Sequence, residues 1–352
     1  MAYTTIDDPS AYFHTQLYTG DGASSNSITN DANAGDFSPD WLWVKNRTTG
    51  GGAGPNIVFD TTRGNTKDLH TNSDEAEHTN TNVLLSFDTD GFSVGDSSVV
   101  NENTSNFVAW QWIANGGTTS SNTDGSITST VQANTTAGFS VVTYTGTGSN
   151  ATVGHGLGSA PRIIFIKDRD NGSTNWAVYN ESAGNNGRLI LNTTDAFGTS
   201  STYWQDTSPT SSVFSLGTWV RVNQSSTNFI AYCFAEIQGY SKFGSYTGNS
   251  STDGPFIYTG FKPAFVMIKR TDATGNWVMM DSTRDSFNVM DSYTRANLSD
   301  AELTSGRSID FLSNGFKLRN ANGNVNTNYN YIYMCFASLP FVSSEGAPTT
   351  AR

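Results

Sequence analysis

The sequence predicts an all-β protein of three tandem β-sandwich, jelly-roll-like repeat domains with very little helix. Three observations predict it. Nearly the same seven residues occur three times: "NFVAWQW" from Asn106 to Trp112, "NFIAYCF" from Asn228 to Phe234 and "NYIYMCF" from Asn330 to Phe336. Their surroundings recur at fixed distances, since a lysine (Lys45, Lys167, Lys269) stands 61 residues before each leading Asn and a proline (Pro39, Pro161, Pro263) six residues before each lysine. True repeats keep such spacing while their loops drift. The recurring segments are also short, rich in β-branched and aromatic residues, and separated by clusters of Gly, Asn and Ser, which is strand-and-turn chemistry.

Taken in chain order, residues 1–11 form an N-terminal arm without apolar periodicity, expected to be loose unless a partner orders it. An ordered arm would hint at attachment. The first repeat domain spans 12–113, and a Tyr-Thr-Gly at Tyr18 recurs at Tyr144 and Tyr246. In "PDWLWVK", alternation puts Trp41 and Trp43 on one face and Leu42 and Val44 on the other. The later copies repeat this with Ile163 and Phe165 against Ile164 and Ile166, and with Phe265 and Met267 against Val266 and Ile268. Such a strand needs cover on both sides. Its proline suits a strand start, and its lysine suits the exit into water. A third shared segment follows, "NIVFD" from Asn56, aligned with "NWAVYN" from Asn175 and "NWVMMD" from Asn276. "GFSV" from Gly91 and "GFKL" from Gly315 read as second strands of hairpins, with "VFSL" from Val213 in their place in the second domain.

The heptapeptide is a second central strand, with Phe229, Ala231 and Cys233 on one face and Ile230, Tyr232 and Phe234 on the other. Its residues recur because a core recurs. Residues 114–138 are polar, either a linker or an added strand at "SITSTV". The second domain covers 139–236 and the third 237–342, joined by a short, stiff junction, and 343–352 form a loose C-terminal tail.

Charged residues make up only 14% of the chain, well under the roughly 25% usual for globular proteins. The net charge of −12 opposes nucleic-acid binding, which needs clustered Lys and Arg. Residues 1–105 carry 15 acidic against 4 basic residues, so the first domain holds most of that acidity. Cys233 and Cys335 occupy the same slot of successive heptapeptides and are expected as buried free thiols. Neither end carries a signal peptide or a membrane-spanning apolar run, so no membrane insertion is expected.

The chemistry-bearing residues are sparse. No P-loop, Gly-x-Ser-x-Gly elbow or His-Glu-x-x-His occurs. The expectation is therefore a non-enzyme with no catalytic residues, no cofactor and no metal. "HTNSDEAEH" from His70 to His78 gathers two histidines and three acids, a possible cation site read as a solvated acidic loop. His155 is assigned a turn or surface role, and "DTDG" from Asp88 a hairpin turn. "DTTR" from Asp60 and "DSTR" from Asp281 read as local Asp and Arg turn pairings, because the second domain has "NESA" at that place. For ligand binding, the informative aromatics lie outside the repeated strands. Tyr203, Trp204 and Asp206 in "TYWQD" are glycan candidates, an aromatic face meeting the sugar ring and polar groups its hydroxyls. Trp219 and Arg221 join them, although "WVRV" also reads as a half-buried strand.

"MAYTTIDDPSAYFHTQLYTGDG", "VGHGLGSAPRIIFIKDRDNGSTNWAVY" and "NFIAYCFAEIQGYSKFGSYTGN" together resemble a family of repeat proteins from tailed bacteriophages of marine bacteria, found among virion structural and tail-module genes. The resemblance implies a non-enzymatic virion structural protein. The expected part is a tail fibre or appendage component contributing to host-surface attachment, assembled in the host cytoplasm and exposed on the extracellular particle. Its implied partners are other virion proteins and a host-surface glycan, with a homotrimer expected by analogy with fibres. A capsid-decorating or head-fibre protein is the alternative reading, and a polysaccharide depolymerase a second one.

Overall fold

The computed structural model describes residues 3–31, 36–48 and 54–349. The outermost residues of the N-terminal arm, 1–2, and of the C-terminal tail, 350–352, lie outside the described residues. The fold is all-β, with 45% strand and 4% helix. The helices are single turns such as Ser98–Asn101, Ser201–Trp204 and Val220–Asn223.

Three large antiparallel sheets share one strand order. In the first, Phe13–Thr19 pairs with the heptapeptide strand Asn106–Trp112, which pairs with the lysine strand Trp41–Asn46, followed by Asn56–Asp60, Lys67–His70 and His78–Thr79. The second runs Phe139–Thr145, Asn228–Phe234, Ile163–Asp168, Ala177–Asn180, Gly184–Ile190 and Gly198–Thr199. It gains two strands from the 114–138 segment, Ser120–Asn122 and Ser129–Asn134. The third runs Ser241–Thr247, Asn330–Pro340, Phe261–Arg270, Val278–Asp281, Met290–Arg295 and Leu303–Leu312. Matching registers place Val58, Val178 and Met279 opposite Trp43, Phe165 and Met267. Asn56 therefore corresponds to Trp176 and Trp277, one residue on from the alignment that the shared Asn suggests.

Both faces of the central strands are buried, as their alternation requires, but by different partners. Outward-facing Leu42, Val44, Phe107 and Ala109 pack under the small sheet formed by Asn26–Thr29, Gly91–Val94 and Leu84–Asp88. Ile164, Ile166, Phe229, Ala231 and Cys233 likewise pack under Ala151–Gly154 and Val213–Leu216. In the third sheet, Gly315–Leu318 and Phe256–Tyr258 take the covering place. Cys233 and Cys335 are free and buried in two different outer cores.

The inward faces of all three sheets meet one another. Trp41, Trp43, Val108, Trp110 and Trp112 share a single core with Ile163, Phe165, Ile230, Tyr232 and Phe234, and with Phe265, Met267, Ile332, Met334 and Phe336. The last residue of each heptapeptide stands at its centre. Trp112 lies 6.3 Å from Phe234 and 5.6 Å from Phe336, and Phe234 lies 5.9 Å from Phe336, centroid to centroid. The sheets thus cover each other, where the sequence led us to expect each sandwich to cover itself.

Smaller devices recur around this frame. Tyr18, Tyr144 and Tyr246 stack on Phe107, Phe229 and Tyr331 and donate to the carbonyls of Val100, Val222 and Val325. Buried Asn101, Asn223 and Asn326 each accept from a backbone N–H just after those tyrosine strands, at Asp21, Thr147 and Asn249. The termini are tied down, contrary to their polar sequence. Ile6 enters the central core, Thr4 donates to the Gln238 carbonyl, and Asp7 accepts from Ser344 N at 2.6 Å. One apolar residue and a few buried hydrogen bonds suffice to hold a polar arm against its own chain.

Candidate functional site

The lysines are the first surprise. Lys45, Lys167 and Lys269 are 0% exposed, so the expectation that they leave the strand into water is overturned. Each ammonium sits between two carbonyls, one from its own sheet and one from a neighbour. Lys45 Nζ donates to Gly54 O at 2.6 Å and to Ser299 O of the third sheet's loop at 2.8 Å. Lys167 Nζ reaches Thr174 O and, at 3.2 Å, Asp74 O of the first. Lys269 Nζ reaches Gly275 O at 2.6 Å and Thr194 O of the second at 3.0 Å. First holds third, second holds first, third holds second: the ring closes. Burial drives all three ammonium pKa values down, to about 8 for Lys45 and Lys167 and to about 7 for Lys269, where attraction to Asp195 opposes the shift and repulsion from Arg270 adds to it.

Each joint has a second connector. Trp176 Nε1 donates to His70 O and Trp277 Nε1 to Ile190 O, both at 2.9 Å, and at the third joint Asn56 Nδ2 donates to Arg295 O at 2.9 Å. The Asp-to-Arg motifs pair locally, Asp60 with Arg63 at 2.5 Å and Asp281 with Arg284 at 2.6 Å. They also reach across. Tyr232 OH donates to Asp60 at 2.7 Å and Trp110 Nε1 to Asp281 at 3.1 Å. Arg63 and Arg169 share Glu77, while Arg284 and Arg47 share Glu302. At the remaining joint the corresponding residues are Ala183, Phe197 and Thr271, and a cleft of about 650 Å³ opens beside them, lined also by Tyr246, Asp272 and Ile332. The second sheet lacks the Asp-to-Arg motif, and among the described residues this joint has none of the shared-glutamate ion pairs that mark the other two. A larger cleft, about 890 Å³, lies where the arm, the first sheet and the third sheet meet, with Asp7, Asp8, His14, Asp31, Lys262 and Leu339 among its walls.

The glycan candidates divide. Tyr203 and Trp204 are buried. Their sequence suggested exposed rings, but the single-turn helix Ser201–Trp204 turns both into the second sheet's outer core, where Trp204 Nε1 donates to Gly187 O at 2.8 Å. Asp206 is exposed in the turn after that helix, with φ 48°. Trp219 remains available at 41% exposed, its ring stacked on Tyr203 at 5.8 Å and 27°. It precedes the helical turn Val220–Asn223, so "WVRV" is not a strand. Arg221 Nη1 donates to Tyr203 OH at 3.3 Å, and the Arg188 guanidinium lies 5.6 Å from the Tyr203 centroid. The result is a ring pair backed by two guanidinium groups, with the tryptophan partly exposed. The matching helix of the first sheet has Ser97 where Trp219 stands.

The surface role expected of His155 is overturned, and the His70–His78 segment gains a neighbour. His155 is buried, with Thr210 O near its Nε2 and Leu157 N donating to its Nδ1, and burial lowers its pKa. His70 and His78 converge on a residue just upstream of their segment: Asp68, His70 and His78 offer ligand atoms all within 4.8 Å of one another. Sequence reading missed Asp68 because its link to His78 is cross-strand pairing.

The chain belongs to the family described as "Domain of unknown function (DUF7483)", whose model matches residues 8–340. No curated protein and no solved structure matches it.

Proposed function

We propose that this member of the DUF7483 family is a non-enzymatic structural protein of a bacteriophage virion, a component of a tail fibre or comparable appendage that helps attach the particle to its host. The observation that carries this reading is the closed ring. The inward-facing recurring residues go into one shared core, the outward-facing ones into a separate core for each sheet, and the lysines into three joints, which is how a chain builds a rigid part. The wording shared with tail-module repeat proteins supplies the setting. The exposed Trp219 face, fixed by Tyr203 and flanked by Arg221, suits weak stacking on a surface sugar, with many copies per particle providing avidity.

Immunogold labelling with an antibody to the full chain should decorate tails or fibres of purified particles from cells that express this gene. Gold confined to the head would favour a capsid-decorating protein. A chain found only in the soluble lysate would overturn the virion reading. On a glycan array, the full chain should bind host-surface glycans, and Trp219→Ser, which copies the first sheet, should lose that signal while keeping its Tm. Equal binding by both proteins would remove Trp219 from the attachment surface.

A further inference from the structure

We propose that Asp68, His70 and His78 bind one Zn²⁺ ion, with Glu75 as the outer carboxylate behind the His70 imidazole. The Asp68 carboxylate is wholly buried, and its Oδ2 faces His70 Nε2 at 3.3 Å and His78 Nδ1 at 3.2 Å. Donors about 2.0–2.1 Å from a tetrahedral zinc stand about 3.3–3.4 Å apart, so these two edges already have the right length. The other Asp68 oxygen, Oδ1, accepts from Asn80 Nδ2 at 2.7 Å, which fixes the carboxylate from behind.

Glu75 Oε2 lies on the far side of both rings, 3.5 Å from His70 Nδ1 and 3.9 Å from His78 Nε2. Metal-bound histidines regularly give their second N–H to such a carboxylate, which sets the tautomer and raises ligand basicity. The rings are tilted by 56° with centroids 4.7 Å apart, and both are partly exposed, so an ion can enter and water can complete the coordination. Two imidazoles and a carboxylate suit zinc or a neighbouring transition metal over calcium, which takes six to eight oxygens.

The fold does not require this trio. The matching registers place Arg188 opposite Gly198 and Tyr293 opposite Leu303 where the first sheet has Asp68 opposite His78. Ile190 and Arg295 stand where it has His70. The ligand set belongs to the first sheet alone. Its loop between His70 and His78 is also the one that docks on the second sheet, where Asp74 O accepts from Thr174 N and Lys167, and Glu77 meets Arg169. A bound ion would brace that joint.

Titration of the tag-free full chain with ZnCl₂ by isothermal calorimetry tests the site, with Co²⁺ as the spectroscopic probe. Expected are one Zn²⁺ per chain, the intense visible bands of four-coordinate Co²⁺, and a Tm that rises with free zinc, while CaCl₂ leaves the Tm unchanged. Glu75→Gln, at an exposed residue, should weaken zinc about 10- to 100-fold, and His78→Gly, which copies the second sheet, should abolish the Co²⁺ bands. No saturable binding by the wild type, or equal binding by wild type and both variants, would overturn the proposal.

Discussion

Trp112→Ala should destabilise the protein by about 3–5 kcal/mol, the usual range for removing a buried tryptophan, and should loosen all three sheets at once. The reason lies in its neighbours. Trp112 packs against Phe13 and Trp41 of its own sheet, Phe234 of the second, and Phe265 and Phe336 of the third. No outer core contains it, so the cavity opens where the sheets meet. Trp112→Phe is the matched control, because the other two sheets carry Phe at that place and Trp112 Nε1 has no hydrogen-bond partner among the described residues. Its loss of volume is partly offset by removing an unpaired buried N–H. Urea unfolding followed by circular dichroism reads both variants. Phe234→Ala combined with Trp112→Ala should be non-additive, since the two rings share one cavity.

Lys269→Met should cost about 2–6 kcal/mol, because the carbonyls of Thr194 and Gly275 then lose a buried donor at about 1–3 kcal/mol each. The same lysines give the protein an uncommon pH response. A free lysine titrates near 10.5, but burial holds Lys45 and Lys167 at about 8 and Lys269 at about 7. Between those values the unfolded chain binds more protons than the folded one, so stability rises with pH. Their contribution is full above the unfolded value and is lost as pH falls through 8 and 7. Each lysine adds at most about 1.4 kcal/mol per pH unit while it discharges. Above pH 10 the trend reverses, because burial raises the pKa of Tyr18, Tyr144 and Tyr246 above the usual 10.0. Midpoints of urea unfolding from pH 7 to 9.5 should climb, and Lys269→Met should climb less. A flat or falling profile would remove the buried-ammonium account.

Much of this frame is visible in the sequence, because strand geometry writes itself with period two. Leu42 and Val44 against Trp41 and Trp43 already state that both faces are covered. What covers them is not local information. The central core is made of contacts between sheets, and alternation alone cannot tell a partner in the same sandwich from one a hundred residues away. The lysines show the same limit. A lysine ending an apolar strand normally snorkels to water, and only the neighbour's loop turns Lys45, Lys167 and Lys269 into buried cross-links. Their unvarying place six residues after a proline was the sign that they do more than solubilise. Asn56 was hidden by its identity with Asn175 and Asn276, since the same joint is served by an amide in one sheet and an indole in the others. At the candidate sites, aromatic identity did not report exposure. Tyr203 and Trp204 turn inward on a helical turn too short for any periodicity to announce, while Asp68 joins His70 and His78 only through strand pairing.

Differential scanning calorimetry of the full chain tests the shared core most directly. If the three sheets are one cooperative body, heating gives a single endotherm whose calorimetric and van't Hoff enthalpies agree. Two or three resolved endotherms, each with the enthalpy of about a hundred residues, would show that the sheets stand alone and that the centre around Trp112, Phe234 and Phe336 does not hold them together.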